Sequence, residues 1–318
     1  MNIKFNLKDT IPIISYFFKK KSDLENLKKD KKAHKKKYLD FYETCLITKN
    51  IHDCDKHVLF NVSKNEDLNH LRKNGFVKLS KIKFKFDEYK FNKILDDKNL
   101  SVHDEIGVAS VIDSSKHFPE LNQILESDYI NNICKSYLGS DASVNHIRVE
   151  RLEQRLSRND VSGLYHHDMV GHRLKILILL DDVSENGRCT SYTVGTHKIK
   201  WKNYDYDQSR YDSEIVEKKF KISKFHGKRG DIFIFDTNGL HKRDENPDKS
   251  KRAVVFIDIA SHNKCQVFKQ LIPDKIPHIF PIGYYREQYF DKNIDIEKTL
   301  LKNDKIKFKN NFYFYESD

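Results

Sequence analysis

The feature that most constrains the fold is a series of short apolar runs in the second half of the chain, each of strand length and bounded by turn residues. The run from Arg173 to Leu180 ends at Asp181-Asp182, before the turn Glu185-Asn186-Gly187. Gly230-Asp231 likewise opens the run from Ile232 to Phe235. Further runs cover 142–152, 191–194 and 252–259. Many short strands separated by turns, without alternating helices, indicate an all-β sandwich or barrel.

Helical patterns precede these runs, so the predicted fold class is mainly β with flanking helices. A helix that ends at Gly75 and is followed by a strand from Phe76 is indicated, because glycine commonly follows the last helical turn. Residues 118–139 carry apolar side chains at helical spacing, and Gly139 suits the end of that helix.

The chain is predicted to have one main domain with a segment on either side. Residues 1–68 are expected to form a helical accessory segment, 69–262 the β domain, and 263–318 a C-terminal segment that covers the core. The connection 198–228 is rich in charge and tyrosine and lacks a core pattern. We expect it to be mobile without substrate and to fold over the mouth of the cavity.

Composition excludes several classes of protein. The net charge of +11 comes from lysines spread along the chain among acidic residues, so no nucleic-acid partner is expected. The five cysteines include no C-x-x-C pair, which favours the reducing cytoplasm over a disulfide framework or a zinc knuckle. The apolar run 11–18 is too short for a transmembrane segment. A small-molecule substrate is the expected partner, and the oligomeric state is left open.

The stretch Gly163–Asp168 carries two candidate metal ligands. On a strand, residues two apart point the same way, so His166 and Asp168 would project together. An imidazole and a carboxylate are two thirds of the triad that holds non-haem Fe(II). The third ligand should be a histidine on another strand, and His241 follows the run that ends at Phe235.

Two other histidines are weaker candidates. His167 has Met169 two residues later, and a thioether does not complete a triad of hard ligands. His226 would compete with His241, but the residue eleven positions after it is Thr237 rather than a cation.

Arg252 begins the run that follows His241. Turn-forming residues at 244–248 separate the two, so a hairpin with His241 on one arm and Arg252 on the other is predicted. Arg252 would share a face with Val254 and look into an apolar cavity, where a guanidinium needs an anionic partner. The hairpin forces no carboxylate into that role, which leaves room for a ligand carboxylate. Lys175 either points into the same cavity or reaches solvent at a strand edge.

These residues resemble the phytanoyl-CoA dioxygenase (PhyH)-like family of Fe(II)/2-oxoglutarate-dependent oxygenases. The resemblance rests on His166-x-Asp168, then His241, then Arg252 eleven residues later. Further similar elements extend it over about residues 70–260: Asn74–Val77, Arg173–Val183, Val194–His197 and Gly230-Asp231. One departure concerns Arg243, which stands where the family commonly has a small hydroxyl residue.

The resemblance implies a double-stranded β-helix, a cupin-like jelly roll, as the core of 69–262. It assigns Fe(II) to His166, Asp168 and His241, and the distal carboxylate of the cosubstrate 2-oxoglutarate to Arg252, with no catalytic residue beyond the metal ligands. The implied activity is that of a dioxygenase that uses O₂ to hydroxylate a C–H bond of a small metabolite, lipid or sugar-containing intermediate. The alternative is a non-catalytic jelly-roll module that binds an anionic or sugar ligand.

Overall fold

The structure is a computed structural model, and the part of the chain that it describes belongs to a compact unit spanning Ile47–Asp318. The described residues are 55, 58, 63–97, 99–103, 108–112, 117–152, 163–168, 171–199, 210–244, 252–261, 264, 306–309 and 312–315. Most of the predicted accessory and covering segments therefore lies outside the described residues. None of the helices in the described ranges is long and apolar enough to cross a membrane.

The described elements alternate little between helix and strand after residue 142, as the sequence predicts. The helices are α1 (Glu66–Asn74), α2 (Glu88–Asp96), α3 (Asn122–Leu125), α4 (Asp128–Leu138) and α5 (Ser213–Lys219). The strands are β1 (Phe76–Lys78), β2 (Val102–His103), β3 (Val108–Ile112), β4 (Ala142–Leu152), β5 (Tyr165–His166), β6 (Leu174–Leu179), β7 (Thr190–Thr193), β8 (Arg210–Tyr211), β9 (Ile222–Phe225), β10 (Ile232–Asp236), β11 (His241–Arg243), β12 (Arg252–Ser261), β13 (Ile306–Lys309) and β14 (Phe312–Tyr315).

Two antiparallel sheets form the core. The larger has the order β1-β10-β6-β12-β4-β3-β2 and the smaller the order β8-β5-β11-β7-β9. From β4 onward the chain moves between the sheets, so that β5, β7 and β11 lie in the smaller sheet while β6, β10 and β12 lie in the larger. This arrangement is a double-stranded β-helix, and the predicted jelly-roll core is confirmed. A separate hairpin pairs β13 with β14.

Both faces of the larger sheet are buried. On β6, Ile176 and Ile178 belong to the core that includes residues of α4, whereas Leu177 and Leu179 pack with residues of the smaller sheet. A strand covered on both faces needs apolar side chains at every position, not at every second one. This explains why the sequence is apolar at every position from Ile176 to Leu180.

The first helix ends where the sequence predicts, and side chains cap α1 and α4 at their N-termini. The Asn65 side chain accepts a hydrogen bond from the Leu68 amide at the start of α1, and Gly75 ends the helix with φ +89°. A Cβ at Gly75 would also overlap the Tyr192 hydroxyl, so glycine is required twice over. The helix predicted over 118–139 is broken, because Ser127 caps a new helix, α4, by accepting from the Ile130 amide.

The predicted hairpin of His241 and Arg252 is wrong. β11 lies in the smaller sheet between β5 and β7, whereas β12 lies in the larger sheet between β6 and β4. Each strand already has a neighbour on both edges, so neither can pair with the other. The chain therefore crosses from the smaller sheet to the larger between β11 and β12.

The connection 198–228, which shows no core pattern in the sequence, contains regular elements where the structure describes it, and its mobility without substrate stays a prediction. Residues 210–228 contain β8, α5 and β9, and β9 completes the edge of the smaller sheet by pairing with β7. Phe225 is fully buried against the aromatic rings of Phe233 and Tyr192. The sequence did not predict these short elements, because the many charged residues in and around α5 leave no clear apolar pattern.

A buried ion pair joins two residues outside the predicted domain limits. The Lys264 ammonium lies 2.8 and 3.0 Å from the carboxylate oxygens of Asp55. Asp55 also accepts a hydrogen bond of 2.7 Å from the backbone amide of His172, and Lys264 donates to the His172 carbonyl. The pair therefore holds the segment that follows Asp168, and both of its members lie beyond the predicted limits of 69–262.

Replacing Lys264 by methionine should destabilise the protein, because it leaves the Asp55 carboxylate buried without its counter-charge. Removing one partner of a buried pair costs about 3–5 kcal/mol. Urea unfolding of Lys264→Met should show a loss of that size. The double variant Asp55→Asn/Lys264→Met should lose less, since no charge is stranded. Equal losses in the single and double variants would contradict this account.

Candidate metal centre

His166 and His241 face each other across two neighbouring strands. They are direct Cα partners in the antiparallel pairing of β5 with β11. Directly opposite residues share a face of the sheet, and the two ring centroids lie 4.5 Å apart. Both side chains are buried between the sheets. The structure thus brings together two of the predicted ligands through a single residue pair.

The hydrogen bonds of the two imidazoles fix which nitrogen faces the interior. Nδ1 of His166 lies 2.7 Å from the Leu164 carbonyl oxygen, and Nδ1 of His241 lies 2.9 Å from that of Gly239. A carbonyl oxygen only accepts, so each Nδ1 carries the hydrogen and donates. Each Nε2 is then left with a lone pair that can bind a metal.

Asp168 completes the cluster. Its Oδ1 lies 3.6 Å from Nε2 of His166 and 3.3 Å from Nε2 of His241. One ligand atom from each of the three residues lies within 4.8 Å of the other two. With both rings neutral, the two Nε2 atoms and Asp168 Oδ1 point lone pairs at one another and no hydrogen lies between them. Their lone pairs repel, and a bound cation would remove that repulsion. Two imidazoles and one carboxylate suit a divalent transition metal.

The second oxygen of Asp168 is held by two cations. Arg173 Nη2 and Lys175 Nζ each lie 2.7 Å from Oδ2. Burial alone would raise the pKa of the Asp168 carboxyl, but the positive charge of Lys175 outweighs burial and holds that pKa well below its ordinary value. The carboxylate is therefore ionised before any metal arrives. Of the two orientations open to Lys175, the structure has its ammonium inside the barrel.

A buried network behind the centre steadies the turn that leads into His241. Asp236 is fully buried, and its carboxylate accepts from the Tyr137 hydroxyl at 2.6 Å and from the Asn238 amide at 2.8 Å. It also bonds Nδ1 of His172. Burial lowers the pKa of His172, but the Asp236 carboxylate outweighs it, so the pKa is raised. Asp236 is a residue of this site that the sequence did not predict.

Arg252 lies in the same interior, on the facing sheet. It is 3% exposed, and its Nη1 donates to the Thr190 hydroxyl at 3.2 Å. Burial, with the charge of nearby Arg243, lowers the pKa of Arg252 to about 10. Among the described residues no carboxylate forms an ion pair with it. The shared inward face of Arg252 and Val254 agrees with the prediction, although the hairpin that suggested it does not exist.

Comparison with solved structures identifies the fold. The structure of EctD from S. alaskensis with bound Fe matches with a TM-score of 0.55 and 16% identity, over 73% of this chain and 90% of that chain. A structure of EctD with 2-oxoglutarate and 5-hydroxyectoine matches with a TM-score of 0.50 and 17% identity, over 65% and 81%. SnoK from nogalamycin biosynthesis, a non-heme alpha ketoglutarate dependent carbocyclase, gives 0.47 and 19%, over 63% and 84%. No family model and no curated protein matches the sequence.

Removing His241 should abolish metal binding without unfolding the barrel. His241→Ala deletes one of the three donor atoms, and its effect on Co²⁺ affinity should exceed the roughly 10–100-fold loss typical of a group that only orients a ligand. Titration of the metal-free protein with Co²⁺ measures the change. The matched control is His226→Ala, since His226 is exposed. If His226→Ala weakens binding and His241→Ala does not, the centre is wrongly assigned.

The raised pKa of His172 predicts a pH dependence of stability. A group whose pKa is higher in the folded state adds stability that is complete below its unfolded value, here 6.5, and is lost as pH rises through the folded value. Thermal unfolding between about pH 6 and pH 9 should therefore show the parent losing stability relative to His172→Gln, which does not titrate. Parallel curves would contradict the charged His172–Asp236 pair.

Proposed function

We propose that this chain is an Fe(II)- and 2-oxoglutarate-dependent dioxygenase that hydroxylates a C–H bond of a small molecule. The observation that carries the proposal is the pairing of two features inside one barrel. His166, Asp168 and His241 form a metal centre on one wall, and Arg252 is a buried cation on the other wall with no carboxylate paired to it among the described residues. A dianionic cosubstrate could bind the metal with one end and form an ion pair with Arg252 at the other.

The donor set fits ferrous iron. Two neutral imidazoles and one carboxylate on a single face are the ligands that non-haem Fe(II) oxygenases use. When bound, iron and 2-oxoglutarate together supply the oxidising chemistry, with O₂ consumed and succinate and CO₂ formed. The chain's own residues hold the two Nε2 atoms and Asp168 Oδ1 on a common point, and they enclose that point between two sheets.

Arg252 is proposed to bind the distal carboxylate of 2-oxoglutarate. A guanidinium can grip a carboxylate with two parallel hydrogen bonds, and burial strengthens the pair. The Thr190 hydroxyl, which already contacts Arg252, offers a further hydrogen bond to the same carboxylate. Thr190 is the cross-strand partner of Arg243, so a neighbouring strand can supply the hydroxyl that is missing at position 243.

The motif order supports a finer assignment. The spacing from His166 and Asp168 to His241 and then to Arg252 favours the PhyH-like type among such oxygenases. EctD structures that hold Fe, or 2-oxoglutarate with 5-hydroxyectoine, share the fold, which makes Fe(II) and 2-oxoglutarate the first ligands to test. Localisation in the cytoplasm is part of the proposal and is supported by the free thiols of Cys134 and Cys189.

The interior wall near the metal centre favours a polar substrate. Lys175 and Asp258 are cross-strand partners there, and beside them Arg148 is paired with Glu150. A long acyl chain laid against these groups would strip their water without replacing its hydrogen bonds. Among the substrate classes that the sequence leaves open, a small polar metabolite or a sugar-containing intermediate therefore fits better than a lipid.

The test of the activity is the formation of succinate. Protein loaded anaerobically with Fe(II) and 2-oxoglutarate, then exposed to O₂, should release succinate, and Asp168→Ala should not. If the parent binds both ligands yet forms no succinate with any polar substrate offered, the alternative of a non-catalytic binding module stands.

Arg252→Ala should weaken 2-oxoglutarate binding strongly while leaving Fe(II) affinity almost unchanged. Losing one partner of a buried charge pair costs about 2–5 kcal/mol, or roughly 30-fold or more in affinity. Arg252→Lys should be intermediate, because it keeps the charge and loses the two-pronged geometry. The metal-to-ligand charge-transfer band of the anaerobic complex reports the titration. Unchanged 2-oxoglutarate affinity in Arg252→Ala would make Arg252 a structural residue.

A further inference from the structure

Asp168 and three other charged side chains form a cluster of alternating sign at the Asp168 oxygen that faces away from the histidines. Arg173 Nη2 lies 2.7 Å from Asp168 Oδ2 and 3.9 Å from Asp258 Oδ1. Lys175 Nζ lies 2.7 Å from Asp168 Oδ2 and 3.8 Å from Asp258 Oδ1. We call Asp168, Arg173, Lys175 and Asp258 the charge quartet. Each of its cations lies within 4 Å of both of its carboxylates, and its formal charge sums to zero.

The fold fixes three corners of the charge quartet on rigid elements. Lys175 and Asp258 are direct cross-strand partners on β6 and β12, in the middle of the larger sheet. Arg173 directly precedes β6, and its carbonyl accepts a hydrogen bond from the Thr237 amide. Their side chains are only 7–12% exposed, so solvent screens their interactions weakly. The Lys175 ammonium also lies 5.5 Å from the centre of the Phe256 ring.

We propose that Arg173, Lys175 and Asp258 are positioning residues for the metal ligand Asp168. The two cations hold Oδ2, so that Oδ1 is the oxygen presented to the metal. Asp258 offsets the positive charge that the two cations bring close to the metal. The inference rests on the proposed function, because it assigns roles around the same centre.

The first consequence concerns the way Asp168 binds. An oxygen that already accepts from two charged donors is a poor second ligand, so Asp168 should coordinate through one oxygen. A one-oxygen carboxylate occupies a single coordination position and leaves others for the cosubstrate. Loss of a donor on Oδ2 would allow the carboxylate to turn and bind through both oxygens.

The second consequence is a pair of charge effects with opposite signs. Asp258→Asn keeps the shape of the side chain but leaves the charge quartet with an excess positive charge, which repels a divalent cation. Lys175→Met leaves an excess negative charge, which attracts it, while Arg173 still holds Asp168. A unit charge this close to a divalent ion in a poorly screened site changes its affinity by about tenfold or more.

The experiment is a Co²⁺ titration of the metal-free protein in four forms: the parent, Asp258→Asn, Lys175→Met and the double variant. We expect Asp258→Asn to bind about tenfold more weakly, Lys175→Met about tenfold more tightly, and the double variant close to the parent. Residues that only support packing would weaken binding in every variant. A result in which both single variants bind more weakly, or neither changes, overturns the proposal.

The visible spectrum of bound Co²⁺ supplies a second readout. Lys175→Met should alter the d–d bands, because Asp168 Oδ2 then keeps only the donor from Arg173 and can approach the metal as a second ligand atom. Lys175→Arg keeps a second charged donor and should show the parent spectrum. An unchanged spectrum in Lys175→Met overturns the one-oxygen role. If Lys175→Met does not fold, the Co²⁺ affinity of Asp258→Asn decides between the two outcomes, since asparagine has nearly the same size and shape as aspartate.

The outcomes separate this inference from the proposed function. A parent protein that binds Co²⁺ no better than His241→Ala would overturn the metal centre itself. A parent that binds Co²⁺ through His241 but shows no opposite-signed charge effects would overturn only the roles of Arg173, Lys175 and Asp258.

Discussion

The rest of the structure depends on the hydrogen bonds made by the buried carboxylate of Asp236. It accepts from Tyr137 on α4, bonds His172 just after the metal-binding stretch, and accepts from the Asn238 amide in the turn before His241. A carboxylate with no exposed surface is tolerated only with such partners. Because its partners come from the helical layer and from both ligand-bearing segments, satisfying Asp236 fixes all three relative to one another.

These hydrogen bonds explain how the candidate ligands can have well-defined positions although the strands that carry them are very short. β5 has two residues and β11 has three, too few for ladder hydrogen bonds alone to hold them rigidly. The backbone supplies further ties, since the Asp168 amide donates to the Thr237 carbonyl and the Thr237 amide donates to the Arg173 carbonyl. Ligand geometry therefore depends on the turn at 236–239 as much as on the sheet.

The sequence predicts β6, β10 and β12 of the larger sheet well, because burial on both faces is a local signal. It also predicts that His166 and Asp168 lie together, although β5 ends at His166 and Asp168 lies just beyond the strand. It fails where the answer depends on register or sheet assignment. The turn residues after His241 read equally well as a hairpin or as a crossing between sheets. Asp236 reads as an ordinary turn residue. Lys175 and Asp258 each interrupt an apolar run, but only the register of β6 with β12 makes them partners.

Arg173, Lys175 and Arg252 are three buried cations of the barrel, and they differ in what balances their charge. Arg173 and Lys175 each lie near Asp168 and Asp258, so protein carboxylates balance their charge. Arg252, equally buried, has a hydroxyl at 3.2 Å and no carboxylate paired to it within the described ranges. Burying a guanidinium that has no ion-pair partner is costly, so an anion bound next to Arg252 would stabilise the protein. Under the proposed function, 2-oxoglutarate would meet this need, since one of its ends would bind the metal and its distal carboxylate would bind Arg252.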